Sequence, residues 1–269
     1  MRWRPPRGVL AELVTSARED CQRRRRARPG VPAEAAQLPR HSPRFRQALL
    51  GGTTFPLICE VKRSSPSAGR IANVVDASAL ALAYARGGAR CVSVLTEGRR
   101  FGGSLEDLAQ VRAAVKVPLL RKDFVVDPYM VEEAALAGAD AVLLIAAAVE
   151  RPLLAELAAS AAALGLDVLL EVVSFEEVDT AAALNATLVG VNARDLETLE
   201  VDAARFARLA PALRAPGRTL VAESGIKTAA DLIALAQAGA TAALVGETLM
   251  RAQDAEAAVR ALSEAPCPA

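Results

Sequence analysis

The sequence predicts an α/β fold of the (β/α)8 TIM-barrel class with an N-terminal helical extension. Three observations predict it. Eight short apolar runs recur along the chain, with segments of helix-forming composition between them. Three of those segments end in the same dipeptide directly before an apolar run: Gly88-Ala89, Gly138-Ala139 and Gly239-Ala240. Glycine there accepts the left-handed conformation that closes a helix. Finally, the 269 residues are 52% hydrophobic but only 3% aromatic. The interior must be built from Ala, Val, Leu and Ile, which suits parallel strands buried on both faces under Ala-rich helices.

The strand candidates are residues 57–61, 91–95, 118–120, 141–145, 168–170, 188–191, 219–222 and 242–245. Residues 77–86, 105–115 and 153–164 have helix-forming composition. Strict strand–helix alternation implies a parallel sheet, and eight units in a chain of this length favour a closed barrel over an open one. An open Rossmann-type sheet lacks support, because no GxGxxG follows the first strand. Residues 1–55 precede the barrel: 9–26 reads as a helix and 32–43 as a connector. The expected organisation is one domain over 1–269, with 1–55 packed on a barrel of 56–265.

Charge excludes several function classes. The chain carries 32 basic and 31 acidic residues, a net charge of +1. That balance gives no global signal for nucleic acid or a membrane surface. The arginine run at 23–26 reads as a solvated helix end; a nucleic-acid patch would need aromatic or recognition-helix features that are missing beside it. Cys21, Cys59, Cys91 and Cys267 lack metal or redox spacing, and a reduced, cytoplasmic protein is the natural reading. Neither a signal segment nor a confident membrane helix is visible. The single histidine, His41, precedes the first strand. Acid–base chemistry is therefore expected to rest on Lys, Glu or Asp, and no metal or organic cofactor is expected.

In a barrel, chemistry stands at the C-terminal strand ends. Those ends read Glu60-Val61-Lys62, Arg121-Lys122-Asp123-Phe124, Glu171, Asn192-Ala193-Arg194, Glu223-Ser224-Gly225 and Gly246-Glu247-Thr248. Any one of these alone reads equally as a surface ion pair. Together, two Lys and three Glu at apolar strand ends would be costly to bury without purpose, and in one mouth they would perturb each other's pKa values. The turns at Ser224-Gly225-Ile226 and Gly246, each before a helix, suggest an anion site, although such glycines also serve as plain turns. The loop from Ser64 through Pro66 to Gly69 adds hydroxyls and a segment able to close over a ligand.

At this point the residues resemble a known family. The stretch Glu60-Val61-Lys62-Arg63-Ser64-Ser65-Pro66-Ser67 is similar to the signature of indole-3-glycerol phosphate synthases. So are Ser93-Val94-Leu95-Thr96-Glu97, Phe101-Gly102-Gly103-Ser104, Leu120-Arg121-Lys122-Asp123-Phe124, Gly190-Val191-Asn192-Ala193-Arg194-Asp195-Leu196, Ala222-Glu223-Ser224-Gly225-Ile226 and Val245-Gly246-Glu247-Thr248-Leu249-Met250. The resemblance runs from about Val9 to the last helix.

It implies ring closure, decarboxylation and dehydration of 1-(2-carboxyphenylamino)-1-deoxyribulose 5-phosphate, in tryptophan biosynthesis. It implies Lys122 as the general acid of ring closure and Lys62 as a carboxylate-binding residue and second proton donor. Glu171 would act in the dehydration, with Glu60, Asn192 and Glu223 orienting these groups. Arg194 would support the ring end, Phe101, Phe124 and Pro66 would enclose the anthranilate ring, and Ser65, Ser224, Gly225 and Gly246 would hold the phosphate. Glu247 departs from the small residue common there; aimed inward, it would repel phosphate. Ala193 stands where a polar residue is frequent.

Two other readings stay open on sequence alone: another phosphate-binding barrel such as a sugar-phosphate isomerase, and a non-catalytic ligand-binding barrel. The partner expected in each enzyme reading is a small phosphorylated molecule, with no nucleic acid and no membrane. The oligomeric state is not legible, and a monomer is compatible with everything above.

Overall fold

The computed structural model describes residues 4–38, 44–66, 69–70 and 76–264. His41, Cys267 and the Ser67-Ala68 part of the first loop lie outside them. Eight parallel strands close into a barrel: β1 (Leu57–Val61), β2 (Cys91–Leu95), β3 (Leu119–Lys122), β4 (Ala141–Ile145), β5 (Asp167–Val172), β6 (Leu188–Asn192), β7 (Thr219–Glu223) and β8 (Ala242–Val245). Each strand pairs with the next in sequence, and β8 returns to β1 through Leu57 opposite Ala243. The predicted barrel is thus observed.

Four strands run past their expected ends. The sequence reading stops β3, β5, β6 and β7 before Lys122, Glu171, Asn192 and Glu223, because polar residues look like strand termini. The ladder instead continues through them: Lys122 stands opposite Leu95, Glu171 opposite Gly190, and Asn192 opposite Glu223. Polar side chains at the top of a barrel need not end a strand, since the backbone stays hydrogen-bonded while the side chain faces the mouth.

Outside the strands lie α4 (Ala77–Gly87), α5 (Leu105–Ala114), α6 (Pro128–Leu136), α7 (Arg151–Ala163), α8 (Phe175–Ala183), α9 (Arg205–Leu213), α10 (Ala229–Gln237), α11 (Glu247–Met250) and α12 (Ala255–Ser263). Helix starts follow capping chemistry: the side chains of Asp76, Ser104, Asp127, Ser174, Thr228 and Asp254 each accept from a first-turn N–H. Helix ends follow the Gly-Ala signature, with Gly88, Gly138 and Gly239 at φ 103°, 84° and 105°.

The extension holds α1 (Gly8–Ala27), α2 (Val31–Ala35) and α3 (Phe45–Ala48), the second of which starts one residue before the expected connector and runs into it. Leu10, Leu13, Val14, Ala17 and Cys21 form the buried stripe of α1 and join the same apolar cluster as the barrel strands. The arginine run is solvent-exposed at Arg23, Arg25 and Arg26, as expected of a helix end, but two of its members also pair across the fold. Arg24 makes a two-pronged pair with Glu133 on α6, at 2.7 and 2.9 Å, and Arg25 pairs with Asp127 at the start of α6. Arg24 and Arg25 thereby help to dock α1 on α6.

Among the described residues, no helix is long and apolar enough to cross a membrane.

Candidate active site

The polar strand ends converge on one cavity of about 800 Å3 at the C-terminal mouth of the barrel. All 14 candidate residues line it: Glu60, Lys62, Ser65, Pro66, Phe101, Lys122, Phe124, Glu171, Asn192, Arg194, Glu223, Ser224, Gly225 and Gly246. The floor is apolar, with Leu143 and Leu244 beneath the charged ring.

Lys122 is the hub. Its Nζ lies 3.5 Å from Glu171 Oε2 and 3.5 Å from Glu223 Oε2, with both carboxylates almost fully buried. Burial alone would lower the lysine pKa. The charges of Glu171, Glu223 and Glu60 outweigh it and raise the ammonium well above its ordinary value. Lys62 pairs with Glu60 at 3.0 Å. Burial would raise the Glu60 carboxyl, but Lys62 and then Lys122 hold it below the usual carboxylate range. Glu223 goes the other way, pushed up to about 8 by burial and by the neighbouring charge of Glu171. Neither Glu171 Oε2 nor Glu223 Oε1 receives a hydrogen bond among the described residues.

Asn192 organises the far side. Its Nδ2 donates to Glu171 Oε1 at 3.0 Å. Its Oδ1 accepts from the Arg194 N–H at 2.9 Å and from the Ser224 hydroxyl at 2.7 Å. Ser224 is held with φ at 68°, a left-handed conformation uncommon for a residue with a side chain, and Gly225 follows at 78°. The Arg194 guanidinium donates to the Leu199 carbonyl at 2.8 Å. It braces the overhanging loop whose Leu196, Leu199 and Val201 line the cavity.

Two glycines are required by space. A Cβ at Gly246 would stand 2.6 Å from Glu60 Oε1 and 3.2 Å from Lys62 Nζ. A Cβ at Gly190 would stand 1.9 Å from Glu223 Oε1. The sequence reading assigns Gly246 to an anion turn; the structure adds that it makes room for the Glu60–Lys62 pair.

The anion turns differ from each other. The N-terminus of α10 is filled by its own capping box, and Asp231 also accepts from the Lys227 N–H. Those bonds occupy the N–H groups of Lys227, Thr228 and Asp231, and the Ser224-Gly225 turn before them lines the cavity. Gly246 precedes α11 without any side-chain cap. Glu247 pairs with Arg251 one turn on, at 3.0 Å, which offsets its charge beside the turn.

The aromatic wall is made by Phe101 and Phe124, with ring centroids 6.1 Å apart and planes tilted by 41°. The Glu97 carboxylate shapes the Phe101 loop by accepting from the N–H groups of Arg99, Arg100 and Phe101.

The extension reaches the mouth. Leu13 of α1 lines the cavity, a contact with no local signal in the sequence. The start of α1 bonds to the loop after β6, through Val9 N–H to the Glu197 carbonyl at 3.2 Å. Further along, Glu12 binds Arg100 of the loop after β2 at 2.7 Å, and Glu19 binds Arg99 at 3.0 Å. Truncation before Arg44 is therefore expected to raise KM. It should also lower Tm, because burying Leu10 or Leu13 stabilises by about 1.5–3 kcal/mol each. An unchanged KM in steady-state kinetics would reduce α1 to packing.

A closed parallel barrel whose mouth combines a buried Lys–Glu cluster, an aromatic wall and glycine turns defines a barrel enzyme built for anionic substrates. The comparisons agree. The family described as indole-3-glycerol phosphate synthase matches residues 10–262. An indole-3-glycerol phosphate synthase of Mycolicibacterium vanbaalenii is 48% identical over 93% of this chain and 92% of that protein. One of Mycobacteroides abscessus is 47% identical over 93% and 92%, and one of Mycolicibacterium smegmatis is 53% identical over 76% and 74%. The chain belongs to the indole-3-glycerol phosphate synthase family. Among solved structures, 3-hexulose-6-phosphate synthase from Salmonella typhimurium superposes with a TM-score of 0.63 at 14% identity, over 78% of this chain and 97% of that one. Thiamine phosphate pyrophosphorylase from Pyrococcus furiosus gives 0.59 at 17%, over 77% and 93%. Those two likenesses concern the barrel fold.

Proposed function

We propose that this chain converts 1-(2-carboxyphenylamino)-1-deoxyribulose 5-phosphate to indole-3-glycerol phosphate, as a carboxy-lyase of tryptophan biosynthesis. The observation that carries this reading is Lys122 held at 3.5 Å from two buried carboxylates in a mouth that also offers Lys62, an aromatic wall and two glycine turns.

The substrate carries a phosphate at one end and a carboxylated ring at the other. The Ser224-Gly225 and Gly246 turns, with Ser65, take the phosphate; Phe101, Phe124 and Pro66 take the ring. Lys62 meets the ring carboxylate, its own position set by Glu60. The ring carbon then attacks the keto carbon as Lys122 gives a proton to the keto oxygen, making a carbon–carbon bond and a hydroxyl. Loss of CO2 returns the electron pair to the ring. Glu171, aided by Asn192 and Glu223, assists departure of that hydroxyl as water with loss of a ring proton. The reaction is split in this way into steps whose proton transfers each fall to a positioned group.

One apolar cluster spans α1 and the barrel, which supports reading 1–269 as a single domain. The buried, unpaired Cys21, Cys59 and Cys91 suit a reducing, cytoplasmic setting.

Purified protein given the carboxyphenylamino substrate should produce the absorbance and fluorescence of an indole. An unchanged substrate, or one whose sugar is isomerised with no indole formed, would overturn the reading. Inorganic phosphate should compete with substrate through the glycine turns; phosphate that fails to raise the apparent KM, even at high concentration, would remove those turns from the binding site.

A further inference from the structure

We infer that Thr96, Arg121 and Asp123 form a positioning network that aims Lys122 and Phe124; the inference rests on the catalytic role proposed for Lys122. Side chains alternate along a strand, so Arg121 leaves β3 on the face opposite Lys122, and Asp123, the first residue beyond β3, pairs with it from the edge of the cavity. Arg121 is fully buried and spends its guanidinium on four partners. Its Nε donates to Thr96 Oγ1 at 3.1 Å, and its NH2 to Asp123 Oδ2 at 2.9 Å. Its NH1 donates to the Met130 carbonyl and lies 3.5 Å from Glu133 on α6. The Thr96 hydroxyl closes the ring by donating to Asp123 Oδ2 at 2.5 Å. The other oxygen of Asp123 accepts the Phe124 N–H at 2.8 Å. Glu133 is shared with Arg24, so α1 is tied into the same network.

This network brackets Lys122 in sequence and fixes the backbone on both sides of it. A buried ion pair is weak evidence for stability, because apolar residues of similar volume commonly serve as well. What apolar packing cannot supply is direction. Hydrogen bonds at fixed angles hold the strand end and the next N–H in one geometry. The Lys122 ammonium, 3.5 Å from each of its carboxylates, has little latitude, and a misplacement near 1 Å can cost about 10²-fold in rate.

The test uses Thr96→Val, Thr96→Ser and Asp123→Asn in the full chain, with steady-state kinetics, phosphate inhibition, pH profiles and thermal melting. Thr96→Val keeps the volume and removes the bridging hydroxyl. It should lower kcat by at least about tenfold, and Asp123→Asn by more, approaching about 10²-fold. Phosphate inhibition should stay unchanged, because the glycine turns follow β7 and β8, away from β3. Thr96 does not titrate, so the Thr96→Val profile should fall without moving its apparent pKa values. Thr96→Ser restores the hydroxyl and should recover wild-type kcat. A purely structural role would lower Tm and leave kcat per folded molecule intact. If Asp123→Asn does not fold, the Thr96 pair decides. Wild-type protein that forms no indole would sink the functional reading and this inference with it. Wild-type turnover together with a folded Thr96→Val within threefold of wild-type kcat would sink the positioning network alone.

Discussion

Lys122→Met is expected to lower kcat by about 10²- to 10⁴-fold, the range general-acid assistance supplies, with KM and phosphate inhibition little changed. Methionine keeps most of the side-chain volume and removes the ammonium group, and with it both the transferable proton and the positive charge. Lys122 is suited to the role because three carboxylates keep it charged in the free enzyme. It parts with a proton only when a stronger base develops beside it, as the keto oxygen becomes an alkoxide. Among the described residues no histidine is available as a substitute, His41 lying outside them. Lys62→Met should behave differently, raising KM as well, because its ammonium is proposed to meet the ring carboxylate before any bond forms. The check is steady-state kinetics on both variants, with circular dichroism confirming folding. A Lys122→Met enzyme that keeps more than about a tenth of wild-type kcat would move the general acid to another residue.

Gly246→Ala is the second large effect expected. The added methyl would arrive 2.6 Å from Glu60 Oε1 and 3.2 Å from Lys62 Nζ, inside any normal contact. The strand backbone beneath it is held by the barrel, so the Glu60–Lys62 pair must shift instead. Displacing an oriented pair by about 1 Å is worth about 10²-fold. The loss should fall on kcat as well as KM. A plain anion turn predicts otherwise: it would raise KM and leave kcat nearly intact. Measuring both constants for Gly246→Ala separates the two roles of this glycine, and a KM-only effect would show that the pair adapts without cost.

The barrel was legible because its signals are local and repeated. The alternation of apolar runs and Ala-rich segments, and the Gly-Ala closures, each reflect one strand–helix unit. The charged residues of the mouth were legible for a related reason: Lys122, Glu171, Asn192 and Glu223 interrupt apolar runs where only function repays the interruption. Their place inside the strands was not legible, since sequence cannot tell a polar strand end from a polar residue in the top layer of a barrel. Leu13 carries no mark that separates it from Leu10, yet only Leu13 reaches this cavity. Arg24 and Arg25 looked like solvent-facing charge because their partners, Glu133 and Asp127, lie about a hundred residues away. Gly190 was visible as a glycine within a strand, but its purpose depends on where Glu223 points.

The central claim is that this one mouth both closes the ring and expels the carboxylate. Its most direct test is a single-turnover reaction with substrate carrying ¹³C in the ring carboxylate, with CO2 and indole followed together. The account predicts labelled CO2 and indole-3-glycerol phosphate in equal amounts from wild-type protein, and neither at a comparable rate from Lys122→Met. Labelled CO2 released without indole, or indole formed just as fast by Lys122→Met, would contradict it.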